Sequence, residues 1–164
     1  MDAALALLRL VLGVILICHA AQKSLGWFRG PGLSASAVFF ESLGHRPGWA
    51  MTVLAALCEL AAGVLLLAGF LTPLAAAMAI GTMLVAGISM VIKAGTVWNT
   101  LGGGEYPLFL AAVCAAVALA GPGAWSLDAV LLPPWPAAVG PGAVVLALVA
   151  AAVPVLRSLR HRPA

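Results

Sequence analysis

The stretch Trp49 to Phe70 reads WAMTVLAALCELAAGVLLLAGF, with a single ionisable side chain, Glu59, near its middle. At about 1.5 Å rise per residue, a helix of this length matches the roughly 30 Å hydrocarbon core of a bilayer. Gly69-Phe70-Leu71-Thr72-Pro73 follows as a tight turn, and a second apolar run continues to about Ile92. Two long apolar runs joined so closely read as a helical hairpin in lipid. The whole chain agrees: of its 164 residues 64% are hydrophobic and 8% charged, with a mean hydropathy of +1.16. A soluble domain is roughly half apolar and about a quarter charged, so an ordinary cytosolic globule is excluded. A disordered or nucleic-acid-binding chain, which needs many charges, is excluded too.

Working outward, the first span runs from about Ala3 to Ala21. Arg9 interrupts it, and Ile17 precedes Cys18 where a lipoprotein signal wants a small residue, so this run is expected to be retained. In the third helix, Thr72 is expected to be the cap and Pro73 the first residue, where its missing N–H costs nothing. Gly102-Gly103-Gly104 breaks the chain, and Pro107 opens a fourth helix that ends at Gly121-Pro122-Gly123. A fifth span covers about Ala137 to Leu156, with Gly140-Pro141-Gly142 interrupting its start. The expected fold is all-α: a membrane helix bundle of four core helices plus a fifth, C-terminal transmembrane helix. Residues 1–131 form the core, with a long first loop at 23–48, and residues 132–164 form the added helix and a basic tail.

That first loop begins Gly26-Trp27-Phe28-Arg29-Gly30-Pro31-Gly32 and goes on to Val38, Phe39, Phe40 and Leu43. Two readings stay open: an interfacial segment that tucks its aromatics against lipid or bundle, or an ordered loop with a helical turn. Trp27, Trp49, Trp98, Trp125 and Trp135 all fall near span ends, as an interface belt requires. With five spans, one side holds Lys23, Arg29, Arg46, Lys93, Arg157, Arg160 and Arg162, and the eighth cation is Arg9. Cationic loops stay cytoplasmic, so the N-terminus is expected outside and the C-terminus in the cytoplasm.

Ionisable groups inside spans are costly and mark candidate sites. Glu59 shares its helical face with Thr52, Ala55, Ala62, Gly63 and Leu66, and the small residues among them let another helix approach. Its expected partner is Arg9, about 7 Å away in depth if the two helices run antiparallel. An ion pair that only fixes register and a proton or ligand site both remain open. A second group, His19, Lys23, Ser89, Lys93, Glu105 and Tyr106, is expected to converge at the cytoplasmic mouth as a cationic pocket with one carboxylate. Such a pocket suits an anionic headgroup, a sulfur oxyanion or a quinone carbonyl. Snorkelling lysines and an interface tyrosine would explain several of these residues without any ligand. Cys18, Cys58 and Cys114 lie far apart without zinc or dithiol spacing, so they read as packing residues, and no metal site is expected. Met51, Met78, Met83 and Met90 read as packing too. His45 and His161 fall in loop and tail, which gives no support to bis-histidine haem ligation.

The order of several weak motifs resembles the DoxX family of small bacterial and archaeal membrane proteins. The matching pieces are Leu8-Arg9-Leu10 with Gly13, His19, Lys23, Gly26-Trp27-Phe28, Gly30-Pro31-Gly32, Phe40-Glu41, and Leu43-Gly44. Glu59-Leu60, Gly63, Gly69, Thr72-Pro73, Gly104-Glu105-Tyr106-Pro107, Gly121-Pro122-Gly123 and Ser126-Leu127-Asp128 complete them, so the resemblance covers Leu7 to Leu131. It implies a four-helix core in a bacterial plasma membrane. It also implies a link to sulfur or oxidative-stress oxidoreductase complexes, with quinone as the cofactor to consider. Ala20 stands where glycine is usual after His19, and no histidine lies near Lys93, which weakens a histidine-based redox site. No self-sufficient catalytic set is visible. The expected function is therefore a subunit or membrane anchor of a redox complex. A non-enzymatic scaffold is the alternative, and a small-solute or proton carrier the third reading, disfavoured because the spans lack broken mid-helix segments. Expected partners are the lipid bilayer and soluble redox proteins on the cytoplasmic side, with a homo-oligomer left open and no nucleic acid.

Overall fold

The computed structural model describes residues 1–161, and Arg162 of the basic tail lies outside them. The helices are α1 (Asp2–Leu25), α2 (Gly32–Ser42), α3 (Gly48–Ala68), α4 (Thr72–Ala94), α5 (Glu105–Ala120), α6 (Leu127–Leu131) and α7 (Val139–Leu159), with a 3-10 turn at Asn99–Leu101. Among the described residues there is no strand. Four helices, α1, α3, α4 and α7, are long and apolar enough to cross a membrane. The fourth expected span, α5, is apolar but only 16 residues, about 24 Å. It nevertheless runs from one end of the bundle to the other. Tyr106 at its start meets His19 on α1, and Gly123 just past its end lies against Leu5.

The hairpin that decides the fold forms as expected, and its turn differs in one respect. Gly69 closes α3 with φ 61, a left-handed conformation that glycine adopts without strain. Leu71, not Thr72, is the N-cap residue of α4, and the Thr72 hydroxyl is buried without a partner among the described residues. The first amides are capped from elsewhere: the Asp128 carboxylate on α6 accepts from Leu71 N at 2.7 Å and Thr72 N at 2.9 Å. A carboxylate satisfies two orphan donors at once and complements the positive end of the helix dipole, which one hydroxyl cannot do. Near the start of α7, Gly140-Pro141-Gly142 lies within the first helical turn and begins the helix instead of breaking it.

α1 packs antiparallel on α3, α4 packs between α3 and α5, and α5 closes the ring against α1. The first loop holds a true helix, α2, laid across α3 and α1. α7 joins the outer flank of α4 and also touches α5. The interior is filled by small and medium apolar residues, among them Leu12, Leu16, Ala62, Leu66, Ala76 and Cys114. Leu57, Val64, Leu146, Val149 and Val153 face outward, as a lipid-facing surface requires. Trp27, Trp49 and Trp98 mark one end of the bundle, the mouth, and Trp125 and Trp135 mark the opposite end.

Small residues set the α1–α3 distance. A Cβ on Gly63 would stand 2.8 Å from Gly13 O, and one on Gly13 would stand 2.7 Å from Gly63 O. Backbone oxygens cannot yield, so Gly63→Ala is expected to cost about 1–3 kcal/mol through overpacking. Gly81→Ala, whose Cβ would meet nothing nearer than 3.9 Å, is expected to cost nothing. Thermal unfolding of both variants in detergent checks this, and equal melting temperatures would refute close α1–α3 packing.

Candidate functional site

The Gly13–Gly63 crossing sets the register of the site. It places Ile17 level with Glu59, and a Cβ on Gly63 would indeed meet Ile17 Cγ1 at 2.7 Å. Arg9 then lies about 12 Å toward the α3–α4 turn, and Lys23 about 9 Å toward the mouth. Side chains on a helix tilt toward its N-terminus. On antiparallel helices that tilt carries Lys23 down into the bundle and Glu59 up toward the mouth, so the two converge. The same tilt carries Arg9 away from Glu59.

The expected Arg9–Glu59 pair is therefore not present. Lys23 Nζ donates to Glu59 Oε1 in a salt bridge, the only one among the described residues. Glu59 is 1% exposed, while the Lys23 side chain keeps 23%. Arg9, also buried, donates from Nη2 to Trp125 O, and Asp128 supplies its electrostatic counterpart. Asp128 N in turn donates to Gly69 O at 2.9 Å, and Ala124 N to Asp2 Oδ1 at 2.8 Å. Arg9 thus belongs to a clamp that ties α1, the α3–α4 turn and the segment before α6 together at the far end.

Lys23 and Glu59 line a cavity of about 890 Å³ whose walls are overwhelmingly apolar. Its size falls in the range of small-molecule sites, which are mostly apolar with a few placed polar groups. Of the six residues expected to form the mouth pocket, His19, Lys23 and Tyr106 line it. His19 Nδ1 shares a hydrogen bond with Gln22 Oε1 at 3.0 Å and stands edge-on to the Tyr106 ring, 5.7 Å between centroids. The other three lie outside its lining. Lys93 Nζ donates to Ser42 Oγ at 2.6 Å and sits 5.2 Å over the Phe39 ring, which fastens α4 to α2. Glu105 Oε2 accepts from Asn99 N at 3.1 Å and so orders the 3-10 turn. Ser89 Oγ is fully buried, 2.9 Å from His45 Nε2.

His45 lies in the loop between α2 and α3, as expected, but its loop position gave no sign of its burial or of its place in the cavity wall. It is buried and lines the cavity, because α2 folds back over α3 and carries the following residues inward. Four methionines, Met51, Met78, Met83 and Met90, also line the cavity, as does Cys58. Helical spacing could not tell a methionine packed in the core from one facing a cavity. Methionine walls are flexible and polarisable, and suit an apolar ligand. All three cysteines are free, and among the described residues no group of three or more His, Cys, Asp or Glu could hold a metal ion.

The family model described as DoxX matches residues 4–92, a little over half of the chain, which takes in α1 to nearly the end of α4 and both partners of the ion pair. The motifs from Gly104 onward lie beyond that match. No curated protein and no solved structure matches the chain.

Proposed function

The chain belongs to the DoxX family of integral membrane proteins, and from that premise we propose that it serves as the membrane subunit of a redox complex, linked to sulfur or oxidative-stress chemistry and coupled to a quinone. The observation that carries this reading is the cavity itself. A space of about 890 Å³ with apolar and methionine walls has an ion pair, Lys23–Glu59, set into one side at mid-membrane depth. A quinone ring needs an apolar slot and a few polar groups near its oxygens, and Lys23, His19 and Tyr106 supply groups of that kind. The residues offer no self-sufficient catalytic set, so the electrons come from a partner. In this reading residues 1–131 are the working core, and α7 adds one wall of the cavity through Leu146, Ala147, Ala150, Ala151 and Pro154. Purification from native membranes, with identification of bound proteins and extracted quinone, tests it. A redox protein and quinone are expected together, and the absence of both overturns the reading.

A scaffold role is the second reading, favoured by the mouth surface. Arg29, Arg46, Lys93, Arg157 and Arg160 are all exposed there and would present a basic rim to acidic soluble proteins. The same rim supports an orientation with the mouth and C-terminus in the cytoplasm and the Asp2 end outside, in a bacterial plasma membrane. A phosphatase reporter fused after Ala164, active only outside the membrane, is expected to be silent. Strong activity would reverse the orientation.

A further inference from the structure

The Lys23–Glu59 pair leaves one oxygen over. Lys23 takes Oε1, whereas Oε2 is buried and has no donor among the described residues. An ionised carboxylate only accepts hydrogen bonds, and buried polar atoms in folded proteins nearly always have partners. Two other polar residues of the cavity lining are engaged elsewhere: the Thr82 hydroxyl on Met78 O and Ala79 O, His19 on Gln22. Glu59 lines the cavity, so the spare acceptor belongs to a residue of its wall, halfway along α3.

The cavity also has a side facing lipid. α3 and α7 each pack on α4, and Leu54, Leu74, Leu146 and Ala150 line the cavity while remaining exposed at the outer surface. A molecule dissolved in the bilayer could pass between α3 and α7 without crossing water. We propose that the cavity takes a lipid-phase molecule with an apolar body and a hydroxyl head, whose O–H is donated to Glu59 Oε2. This rests on the cavity being a binding site, and it sharpens the redox reading. A quinol donates hydrogen bonds and a quinone only accepts them, so the reduced form is the one the carboxylate holds.

The test uses a matched pair, 4-nonylphenol and 4-nonylanisole, which differ only in the hydroxyl hydrogen and its methyl replacement. Binding to the full chain in detergent is measured by native mass spectrometry. The phenol is expected to bind at least about tenfold more tightly, the lower end of what a hydrogen bond to a charged group is worth. Equal binding, or no binding of either, overturns the proposal. Glu59→Gln is expected to abolish the preference, and a retained preference overturns the role of Glu59. Because that variant can lose folded protein, Ala150→Trp at an exposed lipid-facing position gives a second arm. It is expected to keep the melting temperature and to weaken phenol binding at least tenfold. Unchanged binding overturns access between α3 and α7. A chain that prefers the phenol but purifies without redox protein or quinone would keep this proposal and lose the redox reading.

Discussion

Lys23→Met is expected to destabilise the protein severely, by about 3–5 kcal/mol, because it leaves the buried Glu59 carboxylate without its counter-charge. Glu59→Gln is expected to cost clearly less. The lysine left behind is 23% exposed in its side chain and can turn back to the mouth, where water and headgroups receive it. The double variant Lys23→Met/Glu59→Gln should recover most of the loss, since no unpaired charge remains. Melting temperature and the monodisperse fraction in detergent read all three. Equal losses that simply add would show that the two side chains do not meet. The outcome also separates structural from functional roles. A pair that only fixes register predicts a working double variant, while a ligand-binding carboxylate predicts one that folds and does not bind.

The second large effect is expected at Asp128. Its carboxylate caps two amides of α4 and faces Arg9, which is only 3% exposed. Asp128→Ala removes both acceptors and leaves the arginine charge buried without its counterpart, again a loss of about 3–5 kcal/mol. Asp128→Asn keeps an acceptor for one amide and should lose less. Arg9→Met combined with Asp128→Asn is expected to show coupling in a double-mutant cycle. Arg9→Met combined with Glu59→Gln is expected to be additive within about 0.5 kcal/mol, because the two side chains sit at different depths. Coupling in the Arg9–Glu59 cycle and none in the Arg9–Asp128 cycle would overturn the clamp at the far end.

Sequence alone determined the bundle. Long apolar runs leave a chain no other way to satisfy its backbone than as helices in lipid, and glycine-proline punctuation marks where those helices stop. It also determined that Glu59 faces the interior, because the small residues at helical spacing around it invite a neighbouring helix. It could not choose the partner of Glu59. Arg9, His19 and Lys23 lie within one arc of α1, and depth counted along the backbone admitted Arg9. The choice fell to the close approach at Gly13 and Gly63, which sets the register of α1 on α3, and to the opposite tilt of side chains on antiparallel helices. The tilt is a general rule and could have been applied beforehand; the register is a property of packed surfaces. Contacts across the chain decided the rest in the same way. Asp128 became the cap of α4 because α6 returns to the α3–α4 turn, His45 entered the cavity because α2 folds over α3, and α7 supplied a wall because it docks on α4. None of these is encoded in spacing along one helix, since each depends on which helix faces come to lie against each other.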